Sequence, residues 1–340
     1  PRDAVVKPNY TLHLTPYSDM YLSVMFGAVN RQQIRAKAGQ SYDIECPFET
    51  MDDTAVLVYC ASRIQSMGDV SACYIHDNDF SKAEKLKELI IGNTTEGYSN
   101  EFLTTLGMGR NLLLEKLDIR NTPNLKQTLD LSLCENLLEL YATGSGLTGI
   151  LFANGGNIRT ALLPAGLTSI NMRNLMYLTN LTIDGYDYIS TIVMENCDVI
   201  DCKDILNKSP KVNRVRILGI DWQLEDTNLL DRLYKMTGID KNGYNTDQSV
   251  LTGKVHVPVM REKKLAEYRT AWPDLEITYN TLITQYTVTF QNYDKTVLDV
   301  QYVDKGERAV DPLTREENPI PTPTKESTVS TDFTFKAWDS

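Results

Sequence analysis

The chain has 340 residues, 42% hydrophobic and 23% charged, and a net charge of −11 from 34 basic and 45 acidic side chains. That length suits two or three domains of ordinary globular composition. The acidic balance argues against a nucleic-acid partner and against electrostatic docking on anionic lipid, both of which need a basic face. No apolar run reaches the ~20 residues that cross a bilayer.

Residues 1–70 predict a small β-rich unit. Tyr10–Leu14, Tyr21–Phe26, Ile34–Ala38, Ser41–Glu45 and Ala55–Tyr59 carry the alternation and the β-branched or aromatic content of strands, with Gly39 as a turn. The segment reads as an N-terminal cap on the chain beyond residue 70, or alternatively as a separate ligand-binding module. The chain begins at Pro1, without an initiator methionine, and is read as a piece of a longer polypeptide. A missing targeting segment then says nothing about compartment.

From 71 to 219 one pattern recurs: apolar-x-x-apolar-x-apolar. Between 158 and 194 the lead residues are Ile158, Leu167, Leu178 and Ile189, 9, 11 and 11 residues apart. Their second positions are Ala161, Ile170, Leu181 and Ile192, and their third Leu163, Met172, Ile183 and Met194. Further matches begin at Leu86, Leu114, Leu137 and Val212. A helix cannot hold one face in register through so many Gly, Asn and Pro residues, whereas short strands separated by turns can. Fixed-period similarity of this kind marks a stack of coils. Gaps of 20 to 28 between most leads read as full coils, and the 11-residue steps as half-turns. Asn93, Asn121, Asn174 and Asn196 each come two residues after a third apolar position, where an Asn can bond the backbone as the chain leaves its strand. One coil buries three or four aliphatic side chains at ~1.5–3 kcal/mol each. Ordering its ~22 residues costs on the order of 1–2 kcal/mol apiece, so only stacking makes it stable.

Residues 220–282 predict an α/β C-terminal cap: a helix over Thr227–Met236, a strand over Gly253–Pro258, a helix over Val259–Trp272 and a strand over Leu275–Tyr279. Residues 283–340 change character, with strands at Gln285–Phe290 and Val297–Val303, four prolines between Pro312 and Pro323, and an aromatic close at Phe333–Trp338.

The repeating pattern over 86–219 resembles leucine-rich repeats. Its half-turn form, Leu163-Pro164 and then Gly166-Leu167-x-x-Ile170, is similar to the BspA-like bacterial subclass. At the C-terminus, Tyr286–Phe290, Asp294, Thr296-Val-Leu298, Gly306, Pro321-Thr-Pro-Thr-Lys325 and Phe335-x-x-Trp338 resemble the Listeria–Bacteroides repeat, or internalin-B B-repeat. That small β-grasp-like module belongs to secreted and surface-attached bacterial proteins. Lys336-Ala337 departs from it where the family carries a Gly. The expected fold is therefore mainly β with some α: a leucine-rich-repeat solenoid, a β N-terminal cap, an α/β C-terminal cap and a small β-grasp-like module.

The residues predict no catalysis in this chain. His13, His76 and His256 fall in different segments, and no H-E-x-x-H, G-x-S-x-G or phosphate-binding loop occurs. Asp77-Asn-Asp79 and Asp52-Asp53 read as polar loops rather than calcium ligands. Cys197 and Cys202 with Asp198 and Asp201 lack a fourth zinc ligand, and no metal or cofactor is expected. The six cysteines contain no C-x-x-C and read as buried thiols, with Cys60–Cys73 as the alternative disulfide.

The informative surface is the outward row of the repeated strand. Residues beside the second and third apolar positions point away from the core and are expected to form one ladder on one sheet face. They are Lys116, Asp118, Arg120, Tyr141, Thr143, Asn171, Arg173, Asn180, Thr182, Asp184, Glu195, Arg214 and Arg216. Mixed charge with Tyr, Asn and Arg suits a protein receptor or a glycan. The two resemblances imply a non-enzymatic recognition or structural module outside the bacterial cell, on the cell surface or in a virion. There it acts as an adhesin or as a tail component contacting other virion subunits, and the order of segments resembles both. The alternative is the targeting region of a polysaccharide-degrading enzyme whose catalytic domain lies elsewhere.

Overall fold

The computed structural model describes residues 11–26, 30–45, 56–59, 61–69, 77–92, 99–101, 103–197, 201–236, 238–239, 245–246, 249–323 and 337–338. The fold is mainly β, with three α-helices among the described residues. The chain divides into two compact units, Pro1–Asp221 with Lys235–Gly253, and Trp222–Tyr234 with Lys254–Ser340.

The first unit opens with β1 (Thr11–Pro16), β2 (Met20–Phe26), β3 (Asn30–Ala36), β4 (Tyr42–Glu45), β5 (Val56–Tyr59) and β6 (Ile64–Asp69). β1 alternates cleanly, with Leu12 and Leu14 fully buried and its neighbours half-exposed. It pairs antiparallel with β4 on one side and β6 on the other. A separate antiparallel sheet has the order β3-β2-β5.

From β6 onward the strands are short and alternate between two sides: β7 (Asp77–Asp79), β8 (Glu88–Ile90), β9 (Thr105–Gly107), β10 (Lys116–Asp118), β11 (Thr128–Leu131), β12 (Glu139–Tyr141), β13 (Gly149–Phe152), β14 (Thr160–Leu163), β15 (Ser169–Arg173), β16 (Asn180–Ile183) and β17 (Thr191–Glu195). The even-numbered strands from β6 to β16 form one parallel ladder, each paired with the even strand before it. The odd strands pair in parallel on the other side, β7 with β9, β11 with β13, and β15 with β17. A backbone bond from Thr168 to Thr148 links the β13 and β15 sides of one gap on the second side. At another, the Gln127 side chain bonds both the amide and the carbonyl of Leu106. A helix α1 (Cys202–Lys208) then stands where the next even strand is due, and β18 (Arg214–Gln223) pairs with β17.

The residues between the two ladders explain the arrangement. Leu86, Leu114, Leu137, Ile158 and Leu178 form one buried column on the even side, and Leu89, Leu117, Leu140 and Ala161 a second. On the odd side Leu167, Ile189 and Val212 stack likewise, as do Ile170, Ile192 and Val215. Over the 11-residue steps of the sequence the chain passes alternately between the two sets of strands, β14 and β16 in one sheet and β15 and β17 in another. Asn121, Asn174 and Asn196 take left-handed backbone where the chain leaves its strands, with φ of 55°, 54° and 49°. Asn is the non-glycine residue that best tolerates this geometry. The Asn174 amide donates to Asn154 Oδ1, and Asn196 donates to Asn174 Oδ1, both at 2.7 Å, so this corner is bound coil to coil. Asn93 lies outside the described residues.

The two-residue strands β19 (Gly238–Ile239) and β20 (Asn245–Thr246) pair antiparallel. β21 (Ser249–Arg261) begins in the first unit and ends in the second. The second unit also holds α2 (Asn228–Lys235), α3 (Glu262–Ala271) and β22 (Leu275–Ile283), which pairs with β21. Its centre is aromatic. Tyr268 stacks on Trp272 at 5.6 Å between ring centroids, and Tyr234 meets both rings edge-on. Asp231 of α2 accepts from Lys264 Nζ at 2.6 Å and from the Tyr268 hydroxyl at 2.8 Å. The expected helix over 259–272 starts later, at Glu262, because Val259 and Met260 remain in β21, which runs to Arg261.

An antiparallel hairpin follows, β23 (Gln285–Gln291) with β24 (Val297–Asp304). Trp338 packs edge-on against Phe290 at 4.9 Å and donates to Asp311 Oδ1 at 3.0 Å. The Phe333–Phe335 close expected from the sequence lies outside the described residues.

Candidate recognition faces

The residues expected on one face occupy two. Lys116, Asp118, Tyr141, Asn180 and Thr182 lie on the even ladder, with Arg120, Thr143 and Asp184 just past its strands. Asn171, Arg173, Glu195, Arg214 and Arg216 lie on the odd ladder. The expectation of a single face is therefore corrected. The same apolar pattern recurs on both strands of a coil, and nothing within one match tells which ladder it joins.

Parallel register aligns the outward side chains in rows. On the even ladder Glu88, Lys116, Glu139, Thr160 and Asn180 are successive partners. The second row runs Ile90, Asp118, Tyr141, Leu162 and Thr182. The charges of this face satisfy one another. Lys116 Nζ lies 3.1 Å from Glu88, an ion pair that raises the lysine's pKa. Asp118, nearly buried, takes a forked contact from Arg120, with Nη2 to Oδ2 at 2.5 Å. That carboxylate raises the Arg120 pKa further. The Arg120 guanidinium also lies 5.0 Å from the centre of the Tyr141 ring, whose hydroxyl donates to Glu139 at 3.1 Å. Burial, then the Glu139 contact, raises the Tyr141 pKa. Asp184 accepts from the Gly144 amide at 3.1 Å. Of the residues expected here, Asp118 is therefore a structural carboxylate rather than an exposed contact.

The odd ladder is built differently. Its outward rows across β15, β17 and β18 are Ser169, Thr191, Arg214; then Asn171, Val193, Arg216; then Arg173, Glu195, Leu218. Glu195 takes Arg216 at 3.0 Å and Arg173 at 3.8 Å. Arg214 forms no ion pair among the described residues. At the start of these strands Lys211 lies 5.2 Å over the Tyr188 ring, and Tyr188 is 60% exposed. Tyr188 and Lys211 escape a reading of the sequence because both precede the apolar pattern; the two meet where β17 and β18 begin their pairing.

The even ladder ends in a cleft of about 160 Å³ between β16 and α1, lined by Leu178, Leu181, Tyr186, Asp201, Asp204 and Ile205 among others. Its acids have structural partners. Asp201 caps α1 by accepting from the Lys203 and Asp204 amides, and Asp204 takes Lys208 at 2.7 Å. α1 itself was not expected; its signals are the Asp201 cap and the buried Ile205-Leu206 pair.

Other chemistry-bearing residues are dispersed. His13 Nδ1 meets Asp43 at 2.5 Å, and His256 Nδ1 meets Thr278 at 3.0 Å. Asp79 accepts from Ser81, which holds its pKa down. Cys197 and Cys202 are buried thiols, and Cys197 Sγ lies 3.4 Å from the Glu195 carbonyl. Cys46, Cys60, Cys73, Asp52, Asp53, His76 and Asp198 lie outside the described residues. In comparisons with known proteins, no family model, no curated protein and no solved structure matched the chain.

Proposed function

We propose that this chain is a non-enzymatic recognition or structural module displayed outside a bacterial cell, built as a leucine-rich-repeat-type solenoid with a B-repeat-like module at its C-terminus. The reading rests first on the alternation of strands between one continuous parallel ladder and a second side of separate parallel-paired strands, with the repeated leucines and isoleucines buried. Such a stack presents rows of outward side chains at fixed intervals of roughly 4.8 Å per strand, which suits an extended partner such as a glycan or a flat protein surface. The C-terminal hairpin, with Trp338 against Phe290, is compatible with the surface-module resemblance. Adhesin and virion component are the two settings in which this module is placed.

The test is direct: the purified chain is probed on a glycan array and used as bait for receptor proteins of defined identity. Saturable binding to a glycan or receptor, without turnover of it, is the expected result. Turnover of any arrayed glycan, or failure to bind in either format, counts against the reading.

A further inference from the structure

The odd ladder carries a local charge opposite to that of the chain. Arg173, Arg214 and Arg216 come together across β15 and β18 with one carboxylate, Glu195, between them. Lys211 adds a further cation at the margin. All this stands in a chain of net charge −11. The even ladder, by contrast, pairs each of Lys116 and Arg120 with its own acid. A cluster with more cations than anions retains attraction for an external anion, and guanidinium is the group best shaped to grip a carboxylate with two parallel bonds.

We infer that the outward surface of β15, β17 and β18 binds a polysaccharide that carries carboxylates, with Arg214 and Arg216 gripping the acid groups and Tyr188 offering its ring to a sugar face. The inference rests on the recognition reading above and narrows it to one site and one ligand class. Three observations choose a glycan over other polyanions. The rows that hold the arginines also carry the hydroxyl and amide groups of Ser169, Thr191 and Asn171, which match a polyhydroxylated chain, beside the aliphatic Val193 and Leu218. Tyr188 is exposed three residues before Thr191, with Lys211 over its ring. The surface is a sheet face rather than a pocket for the deep aromatic or aliphatic anchors on which protein partners depend. A nucleic acid is poorly served, because three arginines neutralise few phosphates and the chain's overall charge repels it.

The probe is polygalacturonate, titrated calorimetrically into the full chain at low salt. Its methyl ester and poly-glutamate serve as comparators. Saturable binding is expected to polygalacturonate, to fall about tenfold in R214Q/R216Q, the loss of two exposed charge contacts, and to be absent with the methyl ester. The K116E variant of the even ladder is expected to bind as the wild type does. Equal binding of the ester, or an unchanged R214Q/R216Q whose circular dichroism matches the wild type, overturns the inference. So does an equal loss in K116E, which would reduce the effect to overall charge. Tighter binding of poly-glutamate overturns it in favour of an acidic protein partner. If no acidic polymer binds but the array or the bait experiment yields another ligand, this inference fails and the recognition reading stands. If nothing binds in any format, both fail.

Discussion

Replacing Asn174 tests why the corners of the stack hold. Its backbone is left-handed at φ 54°, its amide donates to Asn154, and its Oδ1 accepts from Asn196. Both side-chain bonds are exposed, so each is assigned about 0.5 kcal/mol, the low end of a net protein hydrogen bond. Asn174→Ala loses both and forces a Cβ-bearing residue without Asn's local bonding into the left-handed region, at about 1.5 kcal/mol. The total is about 2.5 kcal/mol. Asn174→Gly loses the same bonds but adopts the backbone freely, at a cost of about 0.5 kcal/mol in extra chain entropy. Its total is about 1.5 kcal/mol. Urea unfolding monitored by far-ultraviolet circular dichroism reads the two values on one scale. Equal losses in Ala and Gly would refute the claim that Asn174 serves the left-handed exit. A Gly variant as stable as the wild type would refute the claim that the amide bridge contributes.

Leu140→Ala removes a fully buried side chain from the middle of an even-ladder column and is expected to cost about 3–5 kcal/mol in the same assay. Burial alone would push the Asp231 pKa up, yet the bonds from Lys264 and Tyr268 outweigh it and hold the pKa below 3.8. A depressed carboxylate stabilises above its unfolded value and loses that contribution as pH falls through the folded one. Stability of the second unit should therefore decline below about pH 4, and less steeply in Asp231→Asn. Fluorescence can report this decline, since Trp222, Trp272 and Trp338 all belong to that unit. Burial raises the Cys134 thiol to about 11. At about pH 8, alkylation of Cys134, located by peptide mass spectrometry, should therefore be slow in the native chain and fast in urea.

The repeated short strands were legible because their signal is cumulative: each match is weak, but the matches from Leu86 to Leu178 repeat the same three apolar positions. The positions of the asparagines were legible, but their role was not: the bonds of Asn174 and Asn196 run to other asparagine side chains rather than to the backbone, and the left-handed conformation of Asn121, Asn174 and Asn196 was not foreseen. The partition of outward residues was not legible either. Lys116 and Arg214 share the same local pattern, and only the pairing of strands distant in the chain sends them to different sheets. Asp118 likewise reads as an exposed acid, yet it is buried under the Arg120 guanidinium. α1 escaped because seven residues hold too little periodicity to stand out beside the strands around them.

The central claim is that the chain between Ser66 and Asn180 advances one strand spacing per coil along a single parallel ladder. Spin labels at outward positions measure it by pulsed electron–electron resonance. Ser66 and Asn180 are separated by five strand spacings and Glu88 and Asn180 by four, which at roughly 4.8 Å each predicts about 24 Å and about 19 Å between backbone sites. Distances that shorten by about one spacing when one coil is skipped support the account. Distances that do not scale with coil number contradict it.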